Sequence, residues 1–267
     1  MPHISRDPYD RVGNSPARLW PTLRAIVGIQ RQVGAILSPT VTLRFIAPSI
    51  YAVEATLPVP GAALPLRCAI VQLEGGGVVL HSPVAIDEAT AQQIDALGHV
   101  RAIIAPSGLH YLFASQAKLR WPEAELWASP AVRKKAPQLG IANELGATRW
   151  PYAAELRQFS LDGAPKVQEV VFFHQPSATL LVTDLVFNIL EPKGLLAGLI
   201  YRLFGTYRHF DSSRLYRHYI ADKAAFAESL EPVLAQPFSR IVMSHGDVIE
   251  SADLPQRLRD VTRRLCS

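Results

Sequence analysis

The sequence predicts an α/β protein, a sandwich of two β-sheets with helices on both outer faces, four layers in the order α, β, β, α. Three observations predict it. Short runs rich in Val, Ile and Leu, among them LRCAIVQL (66–73), VRAIIA (100–105), VQEVVFF (167–173) and ATLLVT (178–183), read as buried strands. From residue 87 onward, stretches of helical character alternate with such strands. The succession also occurs twice, strands first and alternation later, once in each half of the chain.

Residues 1–38 are mixed, with Pro2, Pro8, Pro16 and Pro21 between polar stretches and only 23–33 periodic. They are expected to form an N-terminal extension to a main domain of residues 39–267. That domain begins with the strand-like runs VTLRFI (41–46), SIYAVEA (49–55), LRCAIVQL (66–73) and GVVLHS (77–82). Gly75 and Gly76 supply the turn between the last two, because glycine tolerates the positive φ that tight hairpins require. A phosphate-cradling loop would be followed by a helix, and here the strand VVL follows. Asp87 is a natural N-cap for a helix ending near Gly98. VRAIIA, a helix over about 111–120 closed by Trp121-Pro122, the strand ELWA (125–128) and a helix over 130–136 complete the first half. In the second half, HQPS joins VQEVVFF and ATLLVT as a hairpin. Helices are expected at 193–204 and 222–235, and RIVM (240–243) is a short buried strand. Leu254, Leu258, Val261 and Leu265 line one face of a last helix.

Of the 267 residues, 49% are hydrophobic and 19% charged, which excludes the disordered class. A net charge of +4 is too mild to argue for nucleic acid. Two cysteines, Cys68 and Cys266, exclude a disulfide framework and a four-cysteine zinc cluster. The first residues hold no continuous apolar core, so no secretory signal is expected and a cytoplasmic location is. GLLAGLIYRLF (194–204) is the most apolar stretch, yet a membrane span needs roughly 20 residues. It is expected to be a core or interface helix, with a surface-lying amphipathic segment as the alternative. The following stretch, 201–219, holds six aromatics, four arginines and one acid. Arginine stems covering exposed aromatics explain this better than a nucleic-acid grip. The run Arg133-Lys134-Lys135 reads as a solvated helix end.

Chemistry is expected where polar residues follow apolar strands, because ligands collect at the carboxyl ends of strands in α/β folds. His110 follows VRAIIA, His174 ends VVFF, Asp184 ends ATLLVT, and His245 follows RIVM. No G-x-S-x-G elbow, Walker loop or G-x-G-x-x-G fingerprint is present, so a serine hydrolase or nucleotide enzyme of those kinds is set aside.

The segments HSPV (81–84), APSGLHYLF (105–113), EVVFFHQPSATLLVTDLVFN (169–188) and SHGDVIE (244–250) resemble the metallo-β-lactamase fold, and more narrowly the DUF4336 family, over about residues 40–255. The resemblance implies the αββα sandwich of metallo-hydrolases. It also exposes a departure from the family pattern. Setting His110 on the last histidine of the His-x-His-x-Asp-His box puts Ala105, Ser107 and Leu109 on the other three positions, where none binds a metal well. His174 matches the histidine after the box, Asp184 the bridging aspartate and His245 the final histidine.

The resemblance therefore implies a single zinc, iron or manganese ion on His110, Asp184 and His245, with His174 as fourth ligand or proton shuttle. The activity implied is hydrolysis of an ester, thioester or phosphoester. The alternative is a metal-free relative that serves as a ligand-binding or scaffolding module, with no cofactor. At least three of the four side chains should converge, and Ala105, Ser107 and Leu109 should line the vacated half. The partner expected is a small, anionic molecule rather than nucleic acid. Residues 188–220 are expected as a helical, aromatic and Arg-rich insertion over the mouth of the site, with Arg208, Arg214 and Arg217 binding that molecule.

Overall fold

The computed structural model describes residues 42–267, so the expected extension over 1–38 lies outside the described residues. Strands β1 (Leu43–Ala47), β2 (Ile50–Val59), β3 (Ala62–Gln72) and β4 (Gly77–His81) pair antiparallel in sequence order. Strands β5 (His99–Ala105), β6 (Glu125–Ala128) and β7 (Asn143–Glu144) then join in parallel, which completes a seven-stranded sheet. The second sheet has five strands in the order β14 (Ile249–Glu250), β13 (Arg240–Met243), β10 (Thr179–Val182), β9 (Val170–His174) and β8 (Leu156–Ser160). Only β10 and β13 are parallel in it.

Alternation along each strand decides the layering, since successive side chains face opposite sides of a sheet. Val79, Ala102, Ile104 and Trp127 of the first sheet meet Val170, Phe172, Leu181 and Val242 of the second in the central core. Their neighbours turn outward. Val78, Leu80, Ile103 and Ala105 pack with residues of α1 (Glu88–Asp95), α2 (Ala114–Arg120) and α3 (Pro130–Lys135). Val171, Phe173, Leu180, Val182, Ile241 and Met243 pack under α5 (Arg214–Tyr219), α6 (Lys223–Leu234) and α7 (Leu254–Cys266). The architecture is the four-layer αββα sandwich of the metallo-β-lactamase fold. It follows from strands that are apolar on both faces and need a cover on each.

Besides the two-residue strands, two elements were not legible in the sequence. The strand β8, LRQFS, is a partly exposed edge whose polar residues mask its alternation. The helix α5 is one short turn and a half, started where the Ser213 hydroxyl accepts the Tyr216 amide. The region 188–220 holds α4 (Ala197–Phe204), the two-stranded pair β11 (Phe187–Asn188) with β12 (Phe210–Asp211), and α5.

Caps end the helices as the residue types dictate. Asp87 accepts the Thr90 amide at 2.8 Å, and Asp222 accepts the amides of both Ala224 and Ala225 at 3.0 Å. Asp222→Ala should therefore cost about 1 kcal/mol in urea denaturation, with Asp222→Asn recovering most of it.

Candidate metal centre

The carboxyl ends of β5 in the first sheet and of the parallel pair β10 and β13 in the second lead to one place. His110 stands at the end of a short loop after β5, whose turn is closed by the His110 amide donating to Ser107 O at 3.0 Å. Two bonds tie that loop to β9 and the turn before it, from Gly108 N to Val167 O (2.7 Å) and from Val170 N to Pro106 O (2.8 Å). Position 108 must be glycine for close approach: a Cβ there would lie 2.6 Å from Lys166 O and 2.9 Å from the Ala131 Cβ. Asp184 follows β10, and His245 follows β13, its parallel neighbour. After His245 the chain turns at Gly246, whose φ of 96° and contact with the Asn188 carbonyl leave no room for a side chain.

The ligand atoms of His110, Asp184 and His245 lie within 4.8 Å of one another. His110 Nε2 is 3.1 Å from His245 Nε2 and 3.1 Å from Asp184 Oδ2, and His245 Nε2 is 3.3 Å from Asp184 Oδ1. The three side chains are only 9%, 11% and 4% exposed, so the group is nearly enclosed. Each imidazole is anchored by its outward nitrogen. His245 Nδ1 sits 2.7 Å from the Pro65 carbonyl. A carbonyl only accepts, so that nitrogen carries a proton, an arrangement that in a neutral ring leaves the Nε2 lone pair facing inward. The Phe187 ring stacks on His245 at 4.9 Å and 7° and fixes its plane. His110 Nδ1 is 2.8 Å from the Ser82 hydroxyl at the end of β4, which also accepts from Ser244 Oγ.

The carboxylate is prepared as an anion. Burial alone would raise the Asp184 pKa, but the adjacent imidazoles of His110 and His245 hold it well below the usual carboxylate range. His110 stands close to Oδ2 without the alignment of a hydrogen bond, so that buried oxygen finds no protein donor. The inward Nε2 atoms of His110 and His245, with outer nitrogens anchored, and an orphaned carboxylate oxygen fit a divalent cation. The box residues supply nothing. Ala105 faces the core under α1–α3, Ser107 is buried with its hydroxyl accepting the Leu109 amide, and Leu109 is exposed.

His174 does not join the group, and its expected role as ligand or shuttle is corrected. The β9–β10 hairpin pairs His174 with Thr179 at its turn, whereas Asp184 leaves the opposite end of β10. There His174 Nδ1 meets Ser177 Oγ at 2.7 Å, and burial pushes its pKa down to about 4. Continuing the register brings Glu169, not His174, opposite Asp184. Glu169 is fully buried, accepts the Thr183 amide at 2.6 Å through Oε1 and leaves Oε2 without a protein partner. Burial first, then the Asp184 charge, push its pKa up to about 7. Counting back from the hairpin turn would have found it in the sequence.

Arg133, Lys134 and Lys135 are all exposed, as a solvated helix end requires, and the Lys135 ammonium also donates to the Gly108 carbonyl at 2.6 Å. Burial lowers its pKa, and the charge of Asp184 opposes that. Of the three arginines expected to face a substrate, two are occupied elsewhere. Arg214 donates to the Leu203 carbonyl at the end of α4, and Arg217 to the Ser267 carbonyl at the chain terminus. Their long side chains satisfy nearby backbone acceptors. Arg208 lines a surface cavity of about 280 Å³ with Leu190, Glu191, Pro192, Gly198 and Tyr207.

Fold and ligand group together define a protein of the metallo-β-lactamase fold. A family model described as a domain of unknown function, DUF4336, matches residues 48–199, and the chain belongs to that family. No curated protein matches it. Among solved structures it is similar to the DIM-1 metallo-β-lactamase, with a TM-score of 0.59, 12% identity, and 85% of this chain and 99% of that chain covered. A metallo-β-lactamase from Erythrobacter litoralis gives 0.58 at 19% identity, covering 84% and 97%. The FIM-1 enzyme from Pseudomonas aeruginosa, solved in its mono-zinc form, gives 0.58 at 17%, covering 85% and 95%.

Proposed function

We propose that His110, Asp184 and His245 hold one zinc, iron or manganese ion and that the protein hydrolyses an ester, thioester or phosphoester of a small anionic molecule. The observation that carries this reading is the convergence of three ligand atoms whose outer partners orient them inward. Such an ion, when bound, acts as a Lewis acid that activates water and polarises the scissile bond. The chain's own residues do the rest. Pro65 and Phe187 fix the His245 ring, Ser82 orients His110, and Asp184 stays ionised to balance the cation's charge. The near-complete burial of all three excludes bulk water. Residues 39–267 are the domain that carries this activity, with 188–220 as its insertion. Among the described residues no helix is long and apolar enough to cross a membrane. The unpaired Cys68 and Cys266 fit a reducing compartment, and we assign the protein to the cytoplasm.

A metal-free binding or scaffolding role is the competing reading. It is favoured by the inert residues in the box and by the 3.1 Å contact through which the two imidazoles can share a proton. Elemental analysis of protein purified without chelator separates the two. About one equivalent of zinc, iron or manganese per chain is expected. Less than about a tenth of an equivalent, unchanged after incubation with each metal, overturns the metal reading.

A further inference from the structure

We infer that α4 and the loop leading into it form a docking surface for an anionic lipid bilayer. The helix is apolar on two sides. Its inner side is used by the fold: Ala197 and Tyr201 are buried with Ala62, Phe187 and Ile189, and the Tyr201 hydroxyl donates to the Ala63 carbonyl at 2.8 Å. Its outer side faces water. Leu195, Leu199 and Leu203, each four residues from the last, are 101%, 59% and 51% exposed, and Leu196 is 53% exposed. Leu190 adds to them from the preceding loop at 42%. Five of the eight exposed large apolar side chains among the described residues thus fall within 190–203. Scattered leucines need no explanation, but a cluster on one helix face marks an interaction site.

Charge selects the partner. Across residues 189–219 the cations are Lys193, Arg202, Arg208, Arg214 and Arg217, and the only acids are Glu191 and Asp211. Asp211 is already paired with Arg264 at 3.0 Å. Arg202 lies over the Tyr207 ring at 3.7 Å, which holds its charge beside the leucines. Lys193, Arg202, Arg208 and Arg214 lie beside these leucines, against Glu191 and Asp247 near Leu190. Leucines flanked by such an excess of cations match the two layers of an anionic bilayer surface, acyl chains below and phosphates above. A second copy of this chain fits less well, because two such faces would oppose like charges. At eight residues α4 is far short of a span, so it would lie in the interface plane. The surface adjoins the metal centre, since Phe187 and Asn188 lead from His245 into the loop before α4.

Cosedimentation of the full chain with vesicles tests this independently of the metal. Vesicles of phosphatidylcholine containing phosphatidylglycerol should pull the protein down at low salt, pure phosphatidylcholine far less, and added salt should weaken the binding. Both Leu195 and Leu199 are exposed, so Leu195→Ser with Leu199→Ser should fold normally by circular dichroism. That variant should partition about tenfold or more weakly, because two apolar side chains no longer enter the bilayer. The inference is overturned if anionic vesicles leave the protein in solution, or if the double variant binds them equally well. It is also overturned if sedimentation velocity shows a dimer that the double variant dissociates while vesicles bind neither form; the face is then an interface between copies.

Discussion

In protein stripped of metal and titrated with zinc, Asp184→Ala should abolish most of the metal-dependent rise in melting temperature that the unsubstituted chain shows. A ligand that binds only the folded state at about one hundred times its dissociation constant stabilises that state by about 2.7 kcal/mol. Removing the sole anionic ligand leaves two neutral imidazoles, and a divalent cation in a nearly closed site then has no compensating charge. The metal-free melting temperature should fall as well, because the imidazoles that hold the Asp184 pKa down stabilise the folded state through it. Asp184 is held in the chain by its own strand ends, and its loss removes a buried charge along with its attraction to two imidazoles. A carboxylate that is only structural predicts a different result: stability falls by the same amount at every zinc concentration, zero included, and any zinc-dependent rise persists. His174→Ala is the matched control. It stands at the far turn of the β9–β10 hairpin beside Ser177, so the zinc-dependent rise should persist in that variant. Loss of the rise in His174→Ala would overturn the geometric assignment.

The fold was largely legible because its strands are apolar on both faces, and a strand such as VVFF has only one environment that suits it. Three of the four candidate ligands were legible for a related reason: Asp184 and His245 stand just after buried strands of a parallel pair, and His110 ends the short loop after another. His174 satisfies the same local rule and fails for want of direction. It ends an antiparallel strand that runs away from the site, and only the hairpin register reveals that. The same register would have brought forward Glu169, which precedes its strand and so escapes any search for residues after strands. Side-chain reach defeated the remainder. Arg214 and Arg217 are expected over the mouth of the site from their place in the 188–220 insertion, yet each side chain turns back to a backbone carbonyl. Flexible stems of this length leave no local sequence signal for where the charge ends up.

Glu169 gives the prediction with the clearest sign. In metal-free protein the Glu169→Gln variant should gain stability over the unsubstituted chain as pH rises from about 4.5 to about 7, and hold that gain above it. The carboxyl has an ordinary pKa of 4.5 and is pushed up to about 7 in the folded state, by burial and then by the neighbouring Asp184 charge. Below the lower value both states hold the proton and the group is neutral in its effect. Between the two values the unfolded chain releases its proton while the folded chain keeps it, so stability falls with rising pH. Above the upper value both are ionised, and the accumulated penalty levels off at about 3 kcal/mol. Glutamine keeps the oxygen that accepts the Thr183 amide and has no proton to lose, so it escapes the penalty. Two buried histidines act in the opposite sense. His81 is pushed down to about 3 and His174 to about 4, both by burial, so each costs stability as pH falls below 6.5. Both proteins carry them, and their contributions cancel in the difference. Urea denaturation at intervals from pH 4 to pH 8 gives that difference directly. A step centred between about 4.5 and 7 is expected, whatever constant offset the amide introduces. A flat difference would mean that Glu169 ionises as readily in the folded protein as in the unfolded chain, and that its buried oxygen is solvated rather than enclosed beside Asp184.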